Sequence, residues 1–214
     1  MTDEADSPAR TLSRSARRQQ VIEATLAAIA ISGLSRLTLT DVARQAGISH
    51  GLVLFHFSSK ENLLAETLAF LADEYQRNWQ VALADAGPDP ADRLLAMIEA
   101  DFRPTIATPG RLAAWCAFWG ESQSRPVYQH ICGERDALYV AKLEEICTAL
   151  VRDGNYALNP VRAARILRLV GEGSWLDMMT VEQRYPLADA RRTVLAALSL
   201  CFGKHFAPDG TRLR

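Results

Sequence analysis

Two short helices joined by a tight turn are predicted by the stretch Thr38-Leu-Thr-Asp-Val-Ala-Arg-Gln-Ala-Gly-Ile-Ser-His-Gly-Leu-Val-Leu-Phe-His-Phe-Ser-Ser-Lys60. Thr38 is a good N-cap, and Asp41 can return a hydrogen bond to it, as in a capping box. Gly47 can close the first helix in the left-handed conformation, and Ser49 can cap the second. Helices this close in sequence cross steeply, as in the helix-turn-helix units that read DNA. The same geometry also occurs in proteins that do not bind DNA.

The second helix of this unit has an inner side and an outer side. Val53 and Phe57 stand four positions apart and are predicted to point inward. The residues predicted nearer the outer side are His50, Leu52, Phe55 and His56. Lys60 follows two serines at the start of the next helix, and such a start favours a phosphate oxygen.

Length and composition predict a soluble protein of one small and one larger domain. The chain has 214 residues, 49% hydrophobic and 23% charged, with no apolar run long enough to cross a membrane and no secretory signal. The four cysteines lack a paired arrangement, so neither a zinc site nor a disulfide framework is expected. No metal or cofactor is predicted, and the expected location is the cytoplasm, on the nucleoid when bound to DNA.

Positive charge is concentrated near the helix-turn-helix. Residues 10–60 carry seven basic and two acidic side chains, whereas residues 61–214 carry 17 basic and 20 acidic ones. Arg14, Arg17 and Arg18 open a helix that ends at Gly33, and they are predicted to be free to lie along a DNA backbone. A positive stretch of this kind favours contact with phosphate, although it is more often a solvated face.

The rest of the chain is predicted to be helical, which makes the fold class all-α with about nine helices. One helix of about 20 residues carries the apolar stripe Leu64, Leu68, Leu71, Tyr75 and Trp79. The later helices are predicted over 91–102, 111–122, 127–151, 161–181 and 187–206. The predicted organisation is a disordered arm at 1–14, a DNA-binding domain at 15–75 with its helix-turn-helix at 38–57, and a larger domain at 76–214.

The motif Ala-Gly-Ile-Ser-x-Gly-x-x-x-x-x-Phe-x-x-Lys at residues 46–60 resembles the TetR family of transcriptional regulators. Residues 114–119, preceded by Asp101-Phe102, and residues 171–176 resemble the choline-responsive BetI-type subgroup. The resemblance covers roughly residues 17–205. It implies a ligand-responsive repressor, not an enzyme, that binds a pseudo-palindromic operator as a homodimer.

Carried over by position, the resemblance implies a set of DNA contacts. The residues expected to face the DNA backbone are Arg17, Thr38, Thr40, Leu54 and Lys60. The residues expected at or near base edges are His50, Gly51, Leu52, Phe55 and His56. Relatives often have a small residue at position 52 and tyrosine at position 54, so leucine at 54 removes one expected phosphate contact.

The resemblance also places dimerisation on the last two helices and an effector site in the larger domain. Gly171, Gly173 and Ser174 are expected to form a small-residue strip that a partner helix approaches. The side chains expected to bind the effector are Trp115, Phe118, Trp119, Ser122, Glu172 and Trp175, with Tyr128 as a further aromatic candidate. Four of these, Trp115, Phe118, Trp119 and Ser122, are spaced so that they share one helix face. Aromatic cages attract quaternary ammonium groups such as that of choline. The alternative is that the aromatic stripe is simply core.

Several alternatives stay open at this point. Glu121, Asp101 or Asp177 can replace Glu172 as the counter-charge for a cation. A small helical enzyme acting on a cationic or acyl substrate is disfavoured, because His130 and His205 lack a nucleophile or metal-ligand partner at telling spacing. A dimeric adaptor without DNA binding is kept open by Leu54. The operator, the regulated genes, and whether the effector releases or strengthens DNA binding do not follow from the sequence.

Overall fold

The computed structural model describes residues 13–121, 126–183 and 185–213, and these ranges form nine α-helices. The helices are α1 (Arg14–Ser32), α2 (Leu39–Ala46), α3 (His50–Phe57), α4 (Lys60–Asp85), α5 (Pro90–Asp101), α6 (Pro109–Glu121), α7 (Pro126–Asp153), α8 (Pro160–Thr180) and α9 (Leu187–Phe202). Within the same ranges, the β-type pairing is limited to an isolated bridge between Phe206 and Arg212. The predicted all-α class is confirmed.

The helix-turn-helix is held by the capping residues that the sequence predicts. The Thr38 hydroxyl accepts a hydrogen bond from the Asp41 backbone N–H at 3.2 Å, and the Asp41 carboxylate accepts one from the Thr38 N–H at 3.1 Å. Gly47 ends α2 with φ 65° and ψ 33°, a left-handed conformation that favours glycine. The Ser49 hydroxyl accepts from the Leu52 N–H at 3.2 Å. Each cap satisfies a backbone group that the helix itself leaves without a partner.

The start of α1 differs from the prediction of a disordered arm at 1–14. Residues 1–12 lie outside the described residues, but the Ser13 hydroxyl accepts from the Ala16 N–H at 3.2 Å and begins α1 at Arg14. A serine N-cap explains why helix starts here, since it satisfies a first-turn amide.

Buried side chains from four helices form the core of the N-terminal region. Val21, Val42, Val53, Phe57 and Leu63 are completely buried. The predicted inward positions of Val53 and Phe57 are confirmed. From this core α4 runs on for 26 residues, longer than the 20 predicted, and its apolar stripe is buried apart from Tyr75, which is half-buried.

The larger region is built around α4, which packs against α5 and α7, while α7 packs against α8 and α8 against α9. Helix α6 contacts both α1 and α8, so it touches the two regions. The last helix ends at Phe202, not at Phe206 as predicted. The chain turns at Gly203 and buries Phe206, whose carbonyl accepts from the Ser199 hydroxyl at 3.1 Å.

The predicted small-residue strip on α8 is wrong for two of its three members. Gly171 and Ser174 are buried against their own chain, and Gly173 is exposed. A Cβ atom at Gly171 would stand 3.9 Å from the Asp101 Oδ2, and the Ser174 hydroxyl donates to the Val170 carbonyl at 2.7 Å.

No helix within the described ranges combines the length and apolar character needed to span a bilayer.

Candidate DNA-binding surface and ligand cavity

The outer side of α3 presents adjacent large apolar side chains. Phe55 is 70% exposed and Leu54 beside it is also exposed, while Leu52 is half-buried. His50 is exposed at the first position of the helix. Neighbouring exposed apolar side chains favour an interaction surface, since burying them against another molecule removes them from water.

Gly51 leaves open space on the first turn of α3. A Cβ atom built at this position meets no atom within 4 Å, so the packing of the chain does not require glycine there. The missing side chain instead leaves room for another molecule to approach the helix backbone. This open space suits the close approach of a base edge that Gly51 is predicted to contact.

His56 lies on the inner side of α3, so its prediction as an outer, base-edge residue is wrong. Its exposed fraction is 8%, and its ring meets Phe55 edge-on with centroids 5.2 Å apart. Burial lowers the pKa of His56, and the nearby Arg18 guanidinium lowers it further. A buried, neutral histidine is a packing residue rather than a reader of bases.

Arg18 is not free to lie along DNA as predicted. Its guanidinium donates to the His56 carbonyl and to the Glu66 carboxylate of α4, and it lies 4.5 Å from the centroid of the Phe57 ring. These contacts join α1, α3 and α4. Arg17, one position earlier, is half-buried and donates to Gln20 at 2.7 Å.

The other predicted backbone-facing residues lie at helix starts. Thr38 and Thr40 are exposed at the start of α2, where the Thr38 hydroxyl also donates to the Asp41 carboxylate at 2.6 Å. Lys60 is the half-buried first residue of α4, behind a Ser59 cap that accepts from the Asn62 N–H at 3.1 Å. Their contact with DNA stays a prediction.

A cavity of about 490 Å³ lies between α4, α6, α7 and α8. Stacked indoles line it: the Trp115 and Trp119 centroids are 5.9 Å apart, and those of Trp119 and Trp175 are 6.3 Å apart. Tyr75 meets Trp115 and Trp175 edge-on at about 6 Å, and Tyr139 lies 5.6 Å from Tyr75. Three of the predicted ligand side chains therefore share one aromatic wall.

Phe118 does not line this cavity, contrary to its prediction. It is buried and faces a second cavity, of about 210 Å³, whose lining includes Leu34, Leu64 and Tyr128. Although Tyr128 borders both cavities, the Phe118 side chain leaves α6 on the side facing the N-terminal region. Ser122 and the side chain of Glu121 lie outside the described residues.

Charged side chains lie on the α7 and α8 walls of the larger cavity. Glu172 accepts a hydrogen bond from Arg168 at 2.8 Å, so this predicted counter-charge already has a cation. Arg135 is likewise paired with Asp73, at 2.6 Å. Asp136 lines the cavity too, and burial together with the nearby Glu172 carboxylate raises its pKa to about 6.

Asp101 is the acid that the structure singles out among the alternatives to Glu172. Its Oδ1 accepts from the Tyr75 hydroxyl at 2.9 Å, and its Oδ2 accepts from the Tyr139 hydroxyl at 3.4 Å. Burial raises the pKa of Asp101 to about 7 against the lowering effect of these two hydrogen bonds. Asp177 instead lines a separate groove between α8 and α9.

Arg111 joins the cavity helix α6 to the N-terminal region. Its guanidinium donates to both Glu74 oxygens of α4, at 2.6 and 2.8 Å, and to Glu23 of α1 at 3.1 Å. Only 16% of the side chain is exposed. Trp115 follows Arg111 by about one helical turn, so a short series of contacts joins the cavity wall to α1.

Comparison with protein families identifies the chain. Residues 90–203 match the model of the BetI-type transcriptional repressor C-terminal domain, and residues 21–67 match that of bacterial regulatory proteins of the tetR family. The chain belongs to the TetR family of transcriptional regulators. Its C-terminal region is of the BetI type, and the predicted resemblance to the TetR family and to its BetI-type subgroup is confirmed.

Relatives and solved structures agree with this TetR-family assignment. The regulator BetI 2 of Chromohalobacter salexigens is 34% identical over 179 residues, which cover 82% of this chain and 83% of that protein. A transcriptional regulator of Pseudomonas aeruginosa PAO1 has a TM-score of 0.73 and 26% identity, covering 90% of this chain and 93% of that one. A Saccharomonospora viridis regulator solved in complex with choline shares the fold, with a TM-score of 0.67 and 21% identity over 84% of this chain and 94% of its own.

Proposed function

We propose that this TetR-family regulator binds a pseudo-palindromic operator as a homodimer and releases it when a small cation enters the aromatic cavity. The observation that supports DNA reading most directly is the outer side of α3, with exposed Phe55, exposed His50 and the open space at Gly51. A helix presented in this way fits the major groove.

The proposed base contacts are hydrophobic for the most part. Phe55 and Leu52 suit thymine methyl groups, whereas His50 can hydrogen-bond to a base edge, and Gly51 allows close approach. The proposed backbone contacts are Arg17, Thr38, Thr40, Leu54 and Lys60. Leu54 has no hydrogen-bonding group, so its contribution to a phosphate contact is packing alone.

The proposed dimer forms through α8 and α9. Leu200 of α9 is 89% exposed, and Ile166, Leu169 and Leu176 of α8 are exposed as well. The three α8 residues recur at helical spacing and form one apolar stripe, and because Leu169 and Leu176 also line the ligand cavity, this stripe borders that cavity. Covering such a stripe with a second copy removes it from water and sets two α3 helices against successive grooves of the operator.

The proposed effector is choline or another quaternary amine. Trp115, Trp119, Trp175 and Tyr75 present ring faces and edges to the cavity, and ring faces attract cations. In the Saccharomonospora viridis regulator, the same fold holds choline. A trimethylammonium group is small relative to a cavity of about 490 Å³, which leaves room for a polar tail.

The DNA part of the proposal is tested by fluorescence anisotropy on the DNA upstream of the protein's own gene. We expect His50→Ala to reduce the difference in affinity between operator and scrambled DNA, because it removes a base contact worth about 1–3 kcal/mol. We expect Lys60→Ala to weaken both DNAs about equally and to lower the salt slope by about one.

Arg152→Ala is the control for these variants, because Arg152 is an exposed cation at the far end of α7. We expect it to leave the operator affinity and the salt slope unchanged. Identical affinities and slopes for His50→Ala, Lys60→Ala and the wild type would contradict the proposed DNA surface.

A further inference from the structure

Asp101 differs from the other acids of the cavity in its partners. Glu172 is paired with Arg168, whereas the Asp101 carboxyl accepts hydrogen bonds from the hydroxyls of Tyr75 and Tyr139. Within the described ranges, no arginine or lysine forms an ion pair with Asp101. A half-buried carboxylate without a cation is unfavourable, and a ligand cation would relieve that cost.

The two phenols that hold Asp101 are themselves part of the aromatic wall. Tyr75 meets Trp115 and Trp175 edge-on, and Tyr139 meets Tyr75 and Trp79 with centroids 5.6 and 5.8 Å apart. Burial raises the pKa of both phenols well above their usual value, so both remain protonated and donate to Asp101. The carboxyl group therefore lies directly behind the rings that a ligand touches.

We propose that Asp101 makes this cavity selective for a monocation, because its carboxylate, held by two tyrosine hydroxyls behind the aromatic wall, supplies the negative charge that the ligand neutralises. The inference rests on the proposed function, since it takes the effector to be a cation among the same rings. Asp101 does not line the cavity, so it acts through Tyr75 and Tyr139 as a positioning residue.

Selectivity of this kind makes binding depend on pH. Burial raises the pKa of Asp101 to about 7, so most of the carboxyl groups are protonated at pH 6 before a cation binds. A bound cation favours the carboxylate, so binding at pH 6 expels a proton and is weakened. The affinity for a permanent cation thus rises up to about tenfold from pH 6 to pH 8.

Titratable groups from three neighbouring helices lie around Asp101. Tyr75 of α4 and Tyr139 of α7 donate to it, and Glu172 of α8 raises its pKa. Arg103, two residues along the chain, donates to Asn78 at 3.0 Å. Asp136 lines the cavity and has a raised pKa of about 6, so it is the acid whose titration must be separated from that of Asp101.

Isothermal titration of the full chain with choline and 3,3-dimethylbutanol, its uncharged carbon isostere, at pH 6, 7 and 8 tests the proposal. For the wild type we expect choline to bind at least about tenfold tighter than the isostere at pH 8, and only choline to show the pH dependence. We expect Asp101→Asn to lower that preference to the part supplied by the aromatic rings and to lose the pH dependence, while it keeps its affinity for the isostere. Asp136→Asn is the matched control and should keep the rise centred near pH 7.

Tyr139→Phe provides a second variant in case Asp101→Asn fails to fold. It removes a hydrogen bond that lowers the pKa of Asp101, so the midpoint of the choline profile should move to higher pH. An unchanged choline affinity and pH profile in Asp101→Asn, or an unchanged midpoint in Tyr139→Phe, would overturn the role of Asp101 and leave the proposed effector intact. Failure of the wild type to bind choline at millimolar concentration would overturn the proposed effector and the role of Asp101 together.

Discussion

The helix-turn-helix is built from the single stretch 38–60, whereas the ligand cavity draws its lining from residues 72–176 on four helices. In the first, the caps and the glycine turn act between residues three or four positions apart. In the second, Tyr75, Asp101 and Tyr139 meet only because three long helices pack together.

The two regions therefore differ in the substitutions that they tolerate. Substitutions at the proposed DNA contacts Phe55 and Gly51 should leave the cavity unaltered, since Phe55 is exposed and Gly51 has open space around it. A side chain of the cavity wall instead contacts several helices, so a substitution there should also alter the packing of α4 and α6. The two regions are joined by α4 itself and by the hydrogen bonds of Arg111 to Glu23 and Glu74.

The largest effect is expected from the two phenylalanines of α3. Phe57 is completely buried, so Phe57→Ala should lower the free energy of unfolding by about 3–5 kcal/mol. Phe55, two positions earlier, is exposed, so Phe55→Ala should change that free energy by less than about 0.5 kcal/mol and still weaken operator binding. Urea unfolding and anisotropy measure the two quantities. Equal loss of stability in both variants would show that α3 does not divide into an inner and an outer side.

A smaller effect is expected at the capping box of α2. Thr38→Ala should lower the free energy of unfolding by about 1 kcal/mol, because it leaves a first-turn amide without its acceptor, and Thr38→Ser should restore most of it. The hydrogen bond from the Thr38 hydroxyl lowers the pKa of Asp41, so the contribution of the box is present near neutral pH and is lost as pH falls through that lowered pKa.

Thr40→Ala is the matched control for the cap, because Thr40 is exposed on the same helical turn. Thermal unfolding followed by circular dichroism compares the three variants. If Thr40→Ala destabilised the protein as much as Thr38→Ala, the local account of the helix-turn-helix would be wrong.

The smallest effect is expected at the link between the two regions. Glu23→Gln weakens the contact of Arg111 with α1 and leaves its pairing with Glu74. The operator affinity of this variant without ligand should stay near the wild-type value. The factor by which choline raises the operator Kd should become about two- to threefold smaller, because a single partly exposed ion pair contributes little free energy. Glu145→Gln, which removes a pair with Arg93 inside the larger region, should leave the response to choline unchanged.

Much of the fold follows from local signals in the sequence. Thr38, Gly47 and Ser49 mark the ends of α2 and α3 because each satisfies a backbone group within its own turn. The same kind of signal misses the end of α9. There the chain turns at Gly203 because Phe206 packs back into the core, a contact that periodicity does not reveal.

The parts of the site that sequence reasoning missed depend on contacts between distant residues. His56 is an exception, because it follows Val53 by three positions and helical spacing alone places it on the inner side of α3, where Arg18 of α1 donates to its backbone carbonyl. Phe118 and Trp119 are adjacent on α6, yet they face different cavities. Asp101 stood as one of several acids in the sequence, and only the packing of α4 against α7 brings the two tyrosine hydroxyls to it.

Coupling between the cavity and α3 is tested most directly by the operator affinity of the full chain with and without saturating choline. We predict that choline raises the operator Kd at least about fivefold, as for a typical coupling free energy, and that 3,3-dimethylbutanol at the same concentration leaves it nearly unchanged. An operator Kd that stays the same while calorimetry shows choline bound in the cavity would contradict the coupling.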